Sequence, residues 1–259
     1  MNKLGIQLAK AWSQKSLINL NQFDKKDIPY SREDAYKAQN IFYRTLNKKT
    51  IGWKIGAVSE QVQKEEGFDG PVPGKIFKES LITSGSKLKF SNIPSSNLEC
   101  EFAIQFTKKV DIRENLEKEI DIFKIFTALD ITSSRYVQKS KYNYDKLTQM
   151  YLGIADHGNG GLILIGSEIK DWRNIDLNNI KIKLNINGKI SLPYFRKEKR
   201  MHPIDSLKSF INEFKDKNIQ FNQNDWLLCG SLTEPYNIRK NDYIKIDYED
   251  YSKLEINIK

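Results

Sequence analysis

In the segment Leu98-Glu-Cys-Glu-Phe-Ala-Ile-Gln-Phe, the two-residue period of a strand places Glu99, Glu101, Ala103 and Gln105 on one face and Cys100, Phe102, Ile104 and Phe106 on the other. The two carboxylates then have Cα atoms roughly 6.6 Å apart, near enough for both side chains to converge on one cation. A Glu-x-Glu pair alone is equally at home on a solvated strand face. A third acid changes the balance: Asp130 closes the apolar run Ile125-Phe-Thr-Ala-Leu-Asp-Ile, where an unpaired charge is costly to bury. Three carboxylates with no accompanying His or Cys favour a hard cation, Mg²⁺ or Mn²⁺, over zinc.

Two further titratable groups sit in unusual settings. Lys54 lies mid-strand in Ile51-Gly-Trp-Lys-Ile-Gly, where the flanking glycines allow other backbone or a ligand to approach closely, although a lysine snorkelling from an edge strand fits the same residues. Asp69 is the one titratable group of the turn-rich loop Phe68-Asp-Gly-Pro-Val-Pro-Gly. Cys100 and Cys229 form no CxxC, so neither a disulfide framework nor a thiolate zinc site is indicated and a reducing, cytoplasmic setting is the natural reading. Cys100 and Trp53 read as core.

These groups need a scaffold, and the sequence describes one. At 259 residues the chain can bury a sizeable core. Residues 1–48 read as an N-terminal helical region of two helices: Leu4, Leu8, Ala11 and Trp12 recur at helical spacing, and Ser31 with Asp34 forms a capping box before the face Ala35, Ala38, Ile41, Phe42, Leu46. From residue 49 to 259 short β-branched and aromatic runs predict strands over 50–58, 76–82, 98–110, 120–131, 161–165, 180–186, 226–229 and 243–248. Helices are expected there only at 60–66 and after Pro203, which makes the fold class α+β, a β-rich catalytic core rather than a doubly wound sheet. The N-terminus has no continuous apolar stretch of a targeting signal, and the apolar run at 160–166 is too short to span a bilayer. The net charge of +9 is spread as lysines among Asp and Glu, with no nucleic-acid-binding signature, so neither nucleic acid nor membrane is an expected partner.

Taken together the segments resemble the 2-keto-4-pentenoate hydratases and 4-oxalocrotonate decarboxylases of the fumarylacetoacetate hydrolase superfamily. The resemblance is carried, in order, by Gly52-Trp-Lys-Ile-Gly, Asp69-Gly-Pro-Val-Pro-Gly, Glu99-Cys-Glu-Phe-Ala, Ala128-Leu-Asp-Ile-Thr-Ser-Ser-Arg, Gly153-Ile-Ala-Asp-His-Gly, His202-Pro-Ile-Asp-Ser-Leu and Cys229-Gly-Ser-Leu-Thr-Glu-Pro. It implies mixed, partly rolled sheets, a divalent metal on Glu99, Glu101 and Asp130, and Lys54 and Asp69 facing the active site. It also implies Ser231 and Thr233 on the substrate carboxylate, subunit association into a homo-oligomer, and a role in aromatic catabolism. The chain departs from the pattern at His157, where Asn usually follows Ala-Asp, at Ser133, where Asp commonly precedes Ser-Arg, and in the basic stretch from Phe195 to Met201. His157 is carried forward as a substrate contact.

The implied reaction is hydration of a 2-hydroxy-2,4-dienoate, a small 2-oxo acid in its enol form, by a lyase that stabilises a dienolate. Decarboxylation of a 2-oxo dicarboxylate uses the same residues. Hydrolytic C–C cleavage of an acylpyruvate would call for a His-Glu pair to activate water, and a basic binding protein on a degenerate scaffold is the non-enzymatic alternative.

Overall fold

The computed structural model describes residues 1–114, 116, 120–192 and 199–259, so residues 195–198 of the basic stretch lie outside the described residues. In chain order the elements are α1 Asn2–Gln14, α2 Arg32–Leu46, β1 Thr50–Gly56, α3 Glu60–Glu66, β2 Val72–Phe77, β3 Leu81–Ile82, β4 Ser86–Leu88, β5 Ser96–Phe106, β6 Val110–Asp111 and β7 Phe123–Ser133. There follow α4 Gln138–Lys141, α5 Lys146–Ala155, β8 Leu162–Glu168, β9 Lys183–Ile186, β10 Lys189–Ser191, α6 Pro203–Glu213, β11 Gln220–Phe221, β12 Trp226–Ser231, β13 Tyr236–Asn237, β14 Tyr243–Asp247 and β15 Lys253–Ile258. No helix among the described residues is long and apolar enough to cross a membrane.

The main sheet runs β2-β1-β12-β5-β7-β8-β3, with β13 also pairing with β5, and a second sheet runs β10-β9-β14-β15-β4. The main sheet is mixed: β1 is parallel to β12 and β3 to β8, while β5 pairs antiparallel with both β12 and β7. Its two long central strands, β5 and β7, pair over their whole length, from Ser96 opposite Ser133 to Phe106 opposite Phe123. The α+β class is therefore what the chain adopts.

The alternation expected for β5 holds, but both of its faces are covered. Leu98, Cys100, Phe102, Ile104 and Phe106 join the large core with Ile244, Ile246 and Ile256 of the second sheet and Leu207 and Phe210 of α6. On the other face Ala103 packs with Ala128, Ile76, Ile163 and Leu228. The hydroxyl of Tyr248 bridges β5 and β7, accepting from the Glu101 amide at 3.1 Å and donating to the Ala128 carbonyl at 2.6 Å.

Local chemistry explains the helix ends. Ser31 caps α2 by accepting from the Asp34 amide at 3.1 Å, as the capping box predicts, and Gly67 ends α3 with φ of 69°. The N-terminal helices share a core with Phe77 of β2 and Leu152 and Ala155 of α5, through Leu4, Leu8, Trp12 and Phe42. Helix α5 departs from expectation. It is capped by Asp145 at the Thr148 amide, 2.7 Å, and buries seven of its ten residues, so it shows no polar stripe from which a helical period could be read.

Candidate metal and substrate site

Pairing register builds the acidic cluster. Glu99 stands directly opposite Asp130 across β5 and β7, and Glu101 lies two residues along the same face. Carboxylate oxygens of Glu99, Glu101 and Asp130 all come within 4.8 Å of one another. The structure thus brings together all three residues singled out from the sequence. Asp130 is fully buried, Glu101 is 2% exposed, and only Glu99 lines the adjoining cavity.

Lys54 completes the cluster from β1. Burial excludes the snorkelling alternative: the residue is 5% exposed, and its ammonium donates to Oδ2 of Asp130. One of the two flanking glycines is required for this placement. Gly52 has φ of 134°, and a Cβ there would run into the Trp226 backbone of the neighbouring strand, whereas at Gly56 a Cβ would meet nothing closer than the Val72 carbonyl at 3.7 Å. Trp53 is partly buried, edge-on to Phe210 at 5.5 Å.

The electrostatics follow from crowding like charges out of water. Burial and the Asp130 charge push Glu99 up to about 7, burial with both neighbouring acids raises Glu101 well above the usual carboxylate range, and burial raises Asp130 against the pull of Lys54. Burial alone would lower the Lys54 ammonium, but Asp130, Glu99 and Glu101 together raise it above its ordinary value, so it is held charged. With all three carboxylates ionised, one ammonium would leave two negative charges for a cation to balance. Oδ1 of Asp130 is buried with no hydrogen-bond partner among the described residues. An orphaned carboxylate oxygen in an all-oxygen donor set is what a hard divalent cation fits.

The cluster sits in the wall of a cavity of about 690 Å³. Apolar groups of Val58, Phe68, Val72 and Met150 line it, along with Asn97, Thr132, Asn159, Lys141 and Ser231. Asn97 and Thr132 are a register pair one step beyond Glu99 and Asp130 on the same face, so extending the period-two argument by two residues in each strand would have found them. Ser231 lines the cavity as expected, its hydroxyl donating to the Thr233 carbonyl at 2.6 Å. Thr233 itself is buried behind the wall, its Oγ1 accepting from the Cys100 amide at 3.4 Å, and so positions rather than contacts. The Gly230 amide, just before Ser231, donates to Oε2 of Glu101 at 3.0 Å.

Two further expectations are corrected. Asp69 does not reach this cavity. Its carboxylate accepts from Arg32 Nη1 at 2.8 Å and from the Tyr151 hydroxyl at 2.6 Å, and Arg32 in turn is held by Glu213 at 2.7 Å, so the acid ties its loop to α2, α5 and α6. His157 does not reach it either. The ring stacks on Phe42 at 4.8 Å beside Phe77 and is 2% exposed, and burial drives its pKa well below the ordinary value and keeps it neutral. The histidine of this motif is packing. Its neighbour Asp156 is the anchor, since both carboxylate oxygens take Arg135, Nε at 2.5 Å and the backbone amide at 2.8 Å.

No family model matches the sequence. The chain is 25% identical over 258 residues to the 2-oxo-hept-4-ene-1,7-dioate hydratase of Escherichia coli, covering 96% of this chain and 94% of the relative. It is 24% identical over 161 residues to the 2-keto-4-pentenoate hydratase of Paraburkholderia xenovorans, a match that spans 60% of this chain and 57% of that relative. Among solved structures, the 4-oxalocrotonate decarboxylase from Pseudomonas putida complexed with magnesium and adipate superposes with a TM-score of 0.83 at 17% identity, covering 100% of this chain and 97% of that one. The chain is thus similar over nearly its whole length to a 2-oxo acid hydratase and shares the fold of a 4-oxalocrotonate decarboxylase. A fumarylacetoacetate hydrolase family protein from Yersinia pestis shares the fold at a TM-score of 0.56 and 17% identity over 80% of this chain and 92% of that one. Within this fold, the acids, Lys54 and the cavity are contributed by β5, β7, β1 and the loops at their ends.

Proposed function

We propose that this protein is a cytosolic hydro-lyase that adds water to a 2-hydroxy-2,4-dienoate such as 2-hydroxypenta-2,4-dienoate, giving a 4-hydroxy-2-oxo acid. The observation that carries the reading is the convergence of three carboxylates and a buried, charged lysine at one wall of a cavity of ligand size. Glu99, Glu101 and Asp130 would hold a divalent cation, Mg²⁺ or Mn²⁺, which would supply Lewis-acid stabilisation for negative charge on the substrate's carboxylate and 2-oxo oxygens.

The chain's own groups do the rest. Lys54 is protonated, which makes it a charge stabiliser and proton donor rather than a base: as the enol ketonises and negative charge spreads along the diene, an ammonium fixed by Asp130 faces that charge without reorganising. Val58, Phe68, Val72 and Met150 give the diene an apolar wall, and Ser231, Asn97 and Thr132 supply polar groups along the same cavity. The hydrolase alternative loses support: both histidines of the chain are accounted for, His157 packed on Phe42 and His202 capping α6 by accepting from the Ile204 amide at 3.2 Å. Asp69 enters the proposal only as a group that holds the loop preceding Val72. We further propose a homo-oligomer, for which the exposed Ile190 and Leu192 at the β10 edge of the second sheet, 71% and 65% exposed, are the apolar surface to be covered.

A product assay with Mg²⁺ over 2-hydroxydienoates, 2-oxo dicarboxylates and acylpyruvates tests the assignment. Incorporation of solvent ¹⁸O at C4 without CO₂ release is the expected result. Release of CO₂, or cleavage to pyruvate, would overturn hydration in favour of the decarboxylase or hydrolase.

A further inference from the structure

The basic stretch ends in Lys199, Arg200 and Met201, and these neighbours go separate ways. Lys199 and Met201 line the cavity, with Lys199 paired to Glu65 of α3 at 2.5 Å. Arg200, between them, turns into the protein and is 4% exposed. Its Nε donates to the Leu232 carbonyl at 2.9 Å, and its Nη1 donates to the carbonyls of Asn178 at 2.9 Å and Ile180 at 2.8 Å. Leu177 and Ile180 belong to the large core just ahead of β9, so that end of the contact is fixed. A planar guanidinium with donors on three nitrogens reaches separate carbonyls at once, a geometry that a single ammonium does not reproduce.

Leu232 lies where the sheet itself gives little support. The pairing of β12 with β5 shifts register between Leu228 and Ser231, so the ladder is interrupted at Cys229 and Gly230. Gly230, with φ of 88°, spends its amide on Oε2 of Glu101. Beyond it the Leu232 amide donates to the Cys100 carbonyl at 2.8 Å, and Oγ1 of Thr233 accepts from the Cys100 amide, so the turn clasps the backbone of the residue between Glu99 and Glu101. Two bonds hold this bulge from outside the sheet. The Ser206 hydroxyl of α6 donates to the Cys229 carbonyl at 2.6 Å and Arg200 donates to that of Leu232, one on each side of Gly230 and Ser231. We infer that Arg200 is a positioning residue of the site: it braces the Leu232 peptide and so sets where Ser231 stands in the cavity and where the Gly230 amide meets Glu101. The inference rests on the proposed reaction for what the braced turn serves, but the brace itself stands on the contacts of Arg200.

Two variants and two measurements test it. Arg200→Met removes every donor, and Arg200→Lys keeps the charge but loses the fork, so it carries both measurements if Arg200→Met does not fold. In the first, hydrogen exchange followed by mass spectrometry compares the fragment 228–234 with the fragment 162–168 of β8, each protein held at the same interval below its own Tm. Exchange in 228–234 should rise about 10- to 100-fold in Arg200→Met and by less in Arg200→Lys, while β8 keeps its rate. In the second, kinetics on a 2-hydroxydienoate at saturating Mn²⁺ should show KM raised about 10-fold or more with kcat held within about threefold, whereas a merely structural arginine would lower Tm and leave the KM of the folded enzyme alone. Faster exchange confined to 228–234 supports the brace even if the wild type turns over no dienoate, an outcome that would sink the proposed reaction instead. Unchanged exchange in 228–234, acceleration shared equally with β8, or a wild-type KM in variants that turn over, overturns the positioning role and leaves the reaction standing.

Discussion

Replacing Glu101 by Gln keeps the side chain's shape and the acceptor for the Gly230 amide while removing one buried charge from a cluster whose members lie within 4.8 Å of one another. At an effective dielectric of about 20, two such charges repel by about 3 kcal/mol, part of which Lys54 and protonation already offset. Without metal, Glu101→Gln should therefore be more stable than the wild type, by about 1–3 kcal/mol, or about 2–12 °C in Tm for a chain of this size. With metal the order should invert. Mn²⁺ at a hundredfold excess over its Kd stabilises the wild type by about 2.7 kcal/mol, about 5–11 °C, and the variant, one oxygen ligand short, should shift by less than about 2 °C. Differential scanning fluorimetry with and without Mn²⁺ reads both quantities on the same samples. A variant that melts below the wild type without metal, yet keeps the full Mn²⁺ shift, would refute both the repulsion and the cation assignment.

Lys54→Met should lower kcat by at least about 100-fold while Mn²⁺ binding survives, and should destabilise the metal-free protein by about 3–5 kcal/mol by leaving Asp130 unpaired; near-normal kcat on a confirmed substrate would remove Lys54 from the chemistry. Glu99, pushed up to about 7 by burial and Asp130, must lose its proton to serve a cation, so the Mn²⁺ association constant from calorimetry should rise with pH up to about 7 and flatten above it; a constant affinity between about pH 5.5 and about pH 8 would count against that role. His157→Asn, which tolerates the φ of 38° at this position, should cost about 1–3 kcal/mol in lost ring packing and leave KM unmoved, whereas a raised KM would restore His157 as a substrate contact. Sedimentation at micromolar concentration should show an oligomer that Ile190→Lys with Leu192→Lys weakens; a wild-type monomer would contradict the proposed association.

What the sequence by itself determined was local and periodic. The two-residue alternation of β5 put Glu99 and Glu101 on one face, the Ser31 capping box opened α2, and glycine beside Lys54 marked a close backbone approach, because each of these depends on neighbours along the chain. The tertiary structure decided which of several reasonable partners a polar group takes. Register across β5 and β7 set Asp130 opposite Glu99, and the β1 to β12 pairing brought Lys54 into the same cluster, neither of which spacing along one strand encodes. The same choice removed Asp69 and His157 from the cavity, since an acid in a turn can equally serve a substrate or a distant Arg32, and a histidine can equally be a ligand or a stacked ring beneath Phe42.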